Sequence, residues 1–247
     1  MKDRVSFLTR DLKPDHLADL ILNAEVRSDP YPYFFIENFF SADFYGFIQR
    51  CLPDPDHYSA SDRRDSKRVS RRYLNISKSQ GADLQQLRDP QRSIWENIGQ
   101  QLGSEAFIKN VIKVFEPHVS ERYGKTPLKL RSRVELIKDT ADFEISPHSD
   151  APHKVFTLLF YLPKDASKQQ YGTSVYRPKQ SDFTSEPGKR FPFDQFEEHW
   201  RAPFLPNSVF GFMKNERSFH GRPRLEALTG TRDWMNCSVQ KLEKFKG

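Results

Sequence analysis

The stretch EISPHSDAPHKVFTLLFYLP, residues 144–163, combines a candidate metal motif with the pattern of an apolar strand. His148 and Asp150 are separated by one residue, and side chains two apart on a strand point to the same face. If residues 144–150 form a strand that runs into a turn, both side chains converge on one point. The alternative is an ordinary polar turn, in which Asp150 accepts a hydrogen bond from a backbone amide. Taken alone, the two-residue motif favours the turn.

The sequence after Pro127 is a series of short β-rich runs separated by Pro, Gly, Asp and Ser. These runs are LKLRSRVELIK, DFEISPHS, KVFTLLFYL, YGTSVYRP, NSVFGFMK and DWMNCSVQKL. Short strands without intervening helices favour a sandwich or barrel over a parallel α/β sheet. Residues 177–206 form a long, polar, proline-containing connection, which is typical of a functional lid or a disordered insert.

The N-terminal half has mainly helical patterns. Apolar residues recur at helical spacing in KPDHLADLILNAE, and Ser41 is a candidate N-cap for SADFYGFIQRCL. Two further helices are expected between residues 92 and 123, and YPYFFIENFF is expected to be a strand. We therefore predict one mainly β domain with N-terminal helices (α+β), in which 1–126 is mainly helical, 127–247 is the β core, and both share one hydrophobic core.

Composition limits the classes of function. The formal net charge is +6, and residues 62–78 hold seven Lys and Arg against two Asp. Such a run is usually a solvated loop or helix face, but it could also dock an anionic partner or a membrane surface. Nucleic acid is an unlikely partner, because only Tyr73 interrupts the run and the aromatic platform of single-strand binders is missing. Two cysteines, no signal-peptide pattern and no long apolar stretch lead us to expect a soluble, cytoplasmic protein, with any membrane contact peripheral.

A third ligand would turn the His148–Asp150 pair into a metal site. Two histidines and one carboxylate on a common face are the facial triad of non-haem Fe(II) oxygenases. The third ligand should be a distant histidine beside a late strand. His220, in SFHGRPRL, follows the predicted strand NSVFGFMK and is the best candidate. The other histidines lie in the helical half, on the same turn as Asp150, or in the long connection: His16, His57, His118, His153 and His199.

The order of motifs between about residues 130 and 240 resembles the catalytic domain of the Fe(II)/2-oxoglutarate-dependent dioxygenases, most closely the prolyl-4-hydroxylase-type branch. The matching segments are His148-Ser149-Asp150, FTLLFYLP, YGTSVYRP, SFHGRPRL and TGTRDWMNCSV, in that order. The resemblance implies a double-stranded β-helix (jelly roll), in which His148, Asp150 and His220 bind Fe(II), with 2-oxoglutarate and O2 as co-substrates. Tyr171-Gly172-Thr173 departs from the family's usual pair of glycines before the threonine.

The resemblance also implies roles for other residues. Arg232, twelve residues after His220, is expected to bind the distal C5 carboxylate of 2-oxoglutarate, because a buried carboxylate needs a paired cation. The hydroxyl groups of Thr157 and Tyr161 alternate onto one strand face and could reach the same co-substrate. Arg222, Arg224 and His153 are candidates for the mouth of the site and for contacts with the substrate. Arg133 and Lys138 are weaker candidates for additional carboxylate contacts.

The reaction implied by the resemblance is hydroxylation of an unactivated C–H bond, with conversion of 2-oxoglutarate to succinate. The basic charge and abundant aromatic residues suit an anionic, bulky substrate. One candidate is a glycan or glycolipid such as the Kdo region of a lipid A (lipopolysaccharide) precursor, since the family includes a Kdo hydroxylase. A peptidyl or free amino-acid side chain is the main alternative, and nucleic-acid demethylation ranks third. A non-catalytic jelly-roll binding module and a cupin with another metal also remain open.

Overall fold

The computed structural model describes residues 13, 15–60, 70–77, 83–125, 127–140, 143–224, 226 and 228–242. Its α-helices are α1 (His16–Ile21), α2 (Ala42–Arg50), α3 (Gln91–Leu102), α4 (Glu105–Val114) and α5 (His118–Tyr123). Short 3-10 helices lie at Pro55–His57, Asp83–Gln86, Ala166–Tyr171 and Phe193–Gln195. In the part of the chain that these ranges cover, no helix has the length and apolar composition needed to cross a membrane.

The strands form two antiparallel sheets. They are β1 (Tyr33–Ile36), β2 (Ser59–Ala60), β3 (Arg71–Asn75), β4 (Leu130–Asp139), β5 (Ile145–His148), β6 (Lys154–Tyr161), β7 (Ser174–Pro178), β8 (Phe196–Arg201), β9 (Ser208–Met213), β10 (His220–Arg222) and β11 (Arg232–Lys241). The larger sheet has the order β1-β9-β6-β11-β4-β3-β2, and the smaller sheet has the order β5-β10-β7-β8. The eight strands β4–β11 divide four and four between the sheets, which confirms the predicted jelly roll.

The larger sheet has the main apolar core on its helix side and, on its other side, an interior that combines a second apolar cluster with polar side chains. Alternate side chains of β6 and β11 face the helices: Phe156 stacks on Phe115 at the end of α4, with ring centroids 5.1 Å apart, and Cys237 is buried against the backbone of Leu102. The opposite side chains, including Thr157 on β6, face the smaller sheet. Because strand residues alternate faces, the same two strands can bury the helices and line a functional cavity.

The predicted strands after residue 127 are all present, as is the strand predicted in YPYFFIENFF, residues 31–40. Ser41 caps α2 as expected, since its hydroxyl accepts a hydrogen bond from the Phe44 amide. Residues 92–123 hold three helices rather than the two expected, because the chain breaks again after Val114. Strands β1, β2 and β3 come from the N-terminal half and complete the larger sheet, so the two halves share one sheet as well as one core.

Part of the basic stretch at residues 62–78 is a strand of the larger sheet. We expected a solvated loop or helix face, but Arg71–Asn75 forms β3 and pairs with β4, with Arg71 opposite Asp139. The side chain of Arg71 is therefore mostly buried in an ion pair. Residues 61–69 and 78, which carry most of the remaining basic side chains of the stretch, lie outside the described residues.

The connection at residues 177–206 is ordered and packed. It contains β8, which pairs with β7, and its phenylalanines form a cluster with the residue that precedes His220. The cluster consists of Tyr176, Phe183, Phe191, Phe193, Phe196 and Phe219. Of the two alternatives for this connection, a functional lid or a disordered insert, the structure excludes the disordered insert, since phenylalanines of the segment pack against Phe219, immediately before β10.

Candidate metal centre

Two adjacent strands bring together the three predicted metal ligands. Strands β5 and β10 are antiparallel, and His148 lies directly opposite His220 in their register. Asp150 follows two residues after His148, in the turn that leaves β5. One ligand atom from each of His148, Asp150 and His220 can be chosen so that all lie within 4.8 Å of one another. The pairing of the two strands, together with the short His-x-Asp spacing, therefore produces the cluster.

The two imidazoles are held in the form that binds a metal. The Nδ1 atoms of His148 and His220 lie 2.9 Å and 3.0 Å from the carbonyl oxygens of Ser146 and Ser218. A carbonyl oxygen only accepts, so each Nδ1 carries the proton and each Nε2 keeps a free lone pair. Burial lowers the pKa of both histidines, and together with the neighbouring His220 it brings the pKa of His148 to about 3. Both rings are therefore neutral near pH 7.

Asp150 is oriented by two neighbours on β6. Its Oδ1 lies 2.6 Å from Nζ of Lys154, and its Oδ2 accepts a hydrogen bond of 2.6 Å from the Thr157 hydroxyl. Burial opposes ionisation of this carboxyl, but Lys154 and the two histidines outweigh it and hold its pKa below the usual range. The anionic carboxylate keeps lone pairs for a further ligand bond. The structure thus places Thr157, expected beside the co-substrate, against a metal ligand.

A cavity of about 250 Å³ extends from this cluster into the interior of the jelly roll. One end is lined by His148, Asp150 and His220, and the other end by three arginines, Arg71, Arg222 and Arg232. A single small dianion could therefore contact a metal at one end and a guanidinium at the other.

Arg232 is fixed at the far end of the cavity by the fold itself. Only 1% of the residue is exposed. Its Nε donates to the Tyr171 carbonyl at 2.7 Å, its Nη1 to Asp139 at 3.0 Å, and its Nη2 lies 3.5 Å from the Thr173 hydroxyl. The Tyr161 hydroxyl accepts a hydrogen bond of 3.1 Å from the Thr173 amide, and the Tyr161 ring lies 5.3 Å from the guanidinium carbon. The ring of Tyr161 thus packs beside the arginine.

Gly172 explains how this end can be so compact. A Cβ atom at this position would lie 1.5 Å from the carbonyl oxygen of Ala202, so the two backbones meet in a way that only glycine allows. The close approach aligns the Tyr171 carbonyl and the Thr173 side chain with Arg232. The single glycine of Tyr171-Gly172-Thr173 is therefore the one that the packing requires.

Asp139 pairs with two of the three arginines. It is fully buried and accepts from Nε and Nη2 of Arg71, from Nη1 of Arg232 and from the indole of Trp234. Burial opposes ionisation, but the two arginines outweigh it and lower the pKa of Asp139. Sequence analysis missed both Arg71 and Asp139. No local motif marks them, since they meet only through the register of β3, β4 and β11.

The remaining predicted residues fall into different places. Arg222 was expected at the mouth of the site, but it is 3% exposed and lines the interior cavity, with Nη2 donating to the Phe143 carbonyl at 2.7 Å. Burial and the nearby Arg232 lower the pKa of Arg222 to about 9. Arg224 is exposed and lies outside the lining of this cavity. Lys138 cannot reach the cavity, because it pairs with Asp233 on the opposite face of the sheet.

A second cavity, of about 360 Å³, opens beside the metal ligands. Its lining includes His148 and Asp150, the predicted residue His153, and Arg133. The long connection contributes residues 188–190 to the same wall, including Lys189 and Arg190. The metal cluster therefore borders both cavities, and Arg190 lines both as well.

The fold is similar to those of three solved structures. HygX from Streptomyces hygroscopicus, solved with nickel and 2-oxoglutarate bound, has a TM-score of 0.51 and 11% identity over 85% of this chain and 82% of that chain. SnoN, a non-heme alpha ketoglutarate dependent epimerase from nogalamycin biosynthesis, has a TM-score of 0.52 and 10% identity over 92% of this chain and 82% of that chain. SnoK, a carbocyclase of the same kind and pathway, has a TM-score of 0.50 and 11% identity over 85% and 79%.

Comparison by sequence gives no further relatives: no protein-family model and no curated protein matches the chain. At 10–11% identity, the structural likeness establishes the shared fold alone. What the site does must therefore be argued from its own residues.

Proposed function

We propose that this protein is an Fe(II)- and 2-oxoglutarate-dependent dioxygenase that hydroxylates an unactivated C–H bond. The observation that carries the proposal is the cluster of His148, Asp150 and His220 at one end of a cavity whose other end holds the buried Arg232. Two neutral imidazoles and one carboxylate fit Fe(II) and leave coordination positions for other ligands. Fe(II) bound there would couple decarboxylation of 2-oxoglutarate by O2, giving succinate and CO2, to oxidation of a C–H bond.

The residues that line the cavity have different roles along its length. His148, Asp150 and His220 hold the metal, and Thr157 and Lys154 fix the orientation of the carboxylate. Arg232 offers a buried cation to the distal carboxylate of 2-oxoglutarate, which is costly to desolvate unless it is paired. Burial of Asp150, His220 and Arg232 places these groups in surroundings of low dielectric constant, which strengthens their charge interactions.

The substrate that we propose is anionic and binds in the outer cavity. The basic side chains of Arg133, Lys189 and Arg190 line this cavity next to the metal ligands. A glycan or glycolipid acid such as the Kdo region of a lipid A precursor fits this chemistry, with the basic residues of 62–78 other than the mostly buried Arg71 as a candidate contact with the membrane surface. Hydroxylation of a peptidyl or free amino-acid side chain is the alternative.

The class of reaction can be tested before any substrate is known. Protein loaded with Fe(II) under anaerobic conditions is exposed to O2 and 2-oxoglutarate, and succinate is measured. We expect slow succinate formation by the wild type, lost in Asp150→Ala and Arg232→Met and retained in Asp182→Ala, a change at an exposed carboxylate. Absence of both succinate and Fe(II)-dependent 2-oxoglutarate binding in the wild type would contradict the proposal and favour a jelly-roll binding module.

The substrate class is tested by stimulation of the same turnover. Kdo-bearing glycolipid precursors, neutral glycolipids and short peptides are compared as additives, and products are examined for one added oxygen atom. SnoN is an epimerase, so products are also examined for inverted stereochemistry. We expect stimulation by the acidic glycolipid, reduced in Arg133→Met. Stimulation by neutral lipids or by peptides instead would overturn the anionic-glycan assignment and leave the reaction class in place.

A further inference from the structure

Arg222 is a buried cation whose hydrogen-bonding groups are mostly unused. It lies two residues after His220 on β10, so the two side chains point to the same face of the strand, into the jelly roll. Its Nη2 donates to the Phe143 carbonyl, and its guanidinium lies 4.8 Å from the Phe143 ring centroid. Among the described residues, Nε and Nη1 of Arg222 have no hydrogen-bond partner although both atoms are buried.

An arrangement of this kind is costly unless a ligand completes it. Buried guanidinium groups normally have their donors satisfied, and leaving charged donors unpaired costs more than leaving neutral ones. Arg222 also lines the cavity that contains the metal ligands. A ligand that satisfies it must be an acceptor of negative charge that can occupy that cavity, and a carboxylate matches the planar fork of the guanidinium.

Arg232, by contrast, has few donors left for a ligand. Its Nε is taken by Tyr171 and one hydrogen of its Nη1 by Asp139, while Nη2 lies within 3.5 Å of the Thr173 hydroxyl. A carboxylate at this end can therefore accept only from the remaining N–H groups of Nη1 and Nη2 of Arg232. Arg222 offers Nε and Nη1 without displacing any bond that the fold makes.

The charges at this end of the cavity support the same conclusion. Asp139 is the carboxylate that pairs with Arg71 and Arg232, with Nη2 of Arg71 2.9 Å and Nη1 of Arg232 3.0 Å from its Oδ2. Two of the three guanidinium groups pair with Asp139, whereas Arg222 donates only to a backbone carbonyl, so this end keeps a positive excess in a low-dielectric interior. One further carboxylate reduces that excess.

We propose that Arg222 is a second carboxylate-binding residue of the cavity and shares the distal carboxylate of 2-oxoglutarate with Arg232. This inference rests on the proposed function, because it takes 2-oxoglutarate as the occupant. An acidic group of the primary substrate could also accept hydrogen bonds from Arg222. We assign the co-substrate, since Arg222 is buried, lines the same cavity as Arg232 and is absent from the lining of the outer, basic-rimmed cavity.

The test compares two 2-oxo acids that differ in the distal carboxylate. Protein loaded with Mn(II) is titrated by calorimetry with 2-oxoglutarate and with 2-oxopentanoate, which has a methyl group in place of that carboxylate. The variants are Arg222→Met, Arg222→Lys, Arg232→Met and, as a control, Arg131→Met at an exposed arginine of β4. Thermal melting with and without each acid checks that every variant folds.

We expect Arg222→Met to weaken binding of 2-oxoglutarate about 10- to 100-fold, as for loss of a charged hydrogen bond, and to leave binding of 2-oxopentanoate within about twofold. Arg222→Lys should weaken binding of 2-oxoglutarate less than Arg222→Met does, and Arg131→Met should leave it unchanged. Equal loss for both acids, or no loss for 2-oxoglutarate, overturns the inference and leaves the proposed function intact. If the Mn(II)-loaded wild type binds neither acid, the proposed function and this inference both fail. If Arg222→Met does not fold, the same comparison is decided with Arg222→Lys.

Discussion

The two ends of the interior cavity are both built from ionisable side chains, but they are stabilised in different ways. At the metal end, His148 and His220 are neutral and their Nε2 lone pairs have no role in holding the fold. At the arginine end, Asp139 is enclosed by Arg71 and Arg232 and belongs to the fold itself. Among the residues that the structure describes, the first end has no ion pair with the rest of the fold beyond Lys154, whereas the second is held together by the ion pairs of Asp139 and keeps a positive excess at Arg222.

This difference predicts which substitutions affect folding and which affect binding. A change at the metal end removes a ligand or its support, and the apolar core on the far side of the sheet is untouched. A change at Asp139 leaves guanidinium groups buried without a counter-charge, which destabilises the whole fold. Three measurements follow, from the largest expected effect to the smallest.

Asp139→Asn should destabilise the protein by about 3–5 kcal/mol, the usual cost of removing one partner from a buried ion pair. The matched control is Glu216→Gln, which removes a more exposed carboxylate paired with Arg122 and should cost about 0–1 kcal/mol. Urea denaturation of the metal-free protein measures both. Similar losses for the two variants would show that the arginine end is not part of the structural framework.

Thr157→Val should weaken metal binding and leave folding largely intact. The hydroxyl donates to Asp150, and the loss of a residue that orients a metal ligand typically lowers metal affinity about 10- to 100-fold. Thr140→Val, at an exposed threonine, is the control for the change of side chain. Titration with Mn(II) or Zn(II) measures the affinity. Unchanged affinity would mean that Lys154 alone fixes the carboxylate.

The pH dependence of the free energy of unfolding should also report the buried ion pairs of Asp139 at the arginine end. The pKa of Asp139 is lower in the folded protein than the value of about 3.9 in an unfolded chain. The stabilisation by its charge is therefore present above pH of about 4 and is lost as pH falls through the lower folded pKa. The difference in unfolding free energy between wild type and Asp139→Asn should shrink below pH 4 or so. A constant difference down to the acid transition would contradict the assignment.

The metal end was predictable from sequence because its information is mostly local. The spacing of His148 and Asp150 lies within one stretch, and the order of the β-rich runs left His220 as the best partner. The arginine end was only partly predictable. The role of Arg232 was implied by the resemblance to the dioxygenases. Arg71 lay in a basic run of a kind that is usually solvent-exposed, and Asp139 lay in a strand with no motif. Their meeting depends on the register of three strands, which residue patterns do not specify.

In the N-terminal half too, local patterns were predictable from the sequence and the pairing of strands was not. Helical periodicity correctly indicated α1 and α2, because amphipathic spacing is a local property. Strand β3 escaped prediction, since it borders a charged stretch and has only Leu74 and Asn75 buried within it. The ordered structure of the connection at residues 177–206 was not predicted, for a related reason. The segment is polar overall, and its phenylalanines are spaced too irregularly to indicate a strand or a helix.

The phenylalanine cluster of that connection has a consequence for engineering. Phe183, Phe191 and Phe196 pack around Phe219, the immediate neighbour of a metal ligand. The segment that carries Lys189 and Arg190 to the outer cavity thus packs against the residue that precedes His220, one of the three proposed metal ligands. Transplanting a foreign loop to change specificity would disturb His220 as well, unless the graft kept these anchoring rings. Redesign should therefore vary the tip at residues 188–190 and preserve the aromatic base.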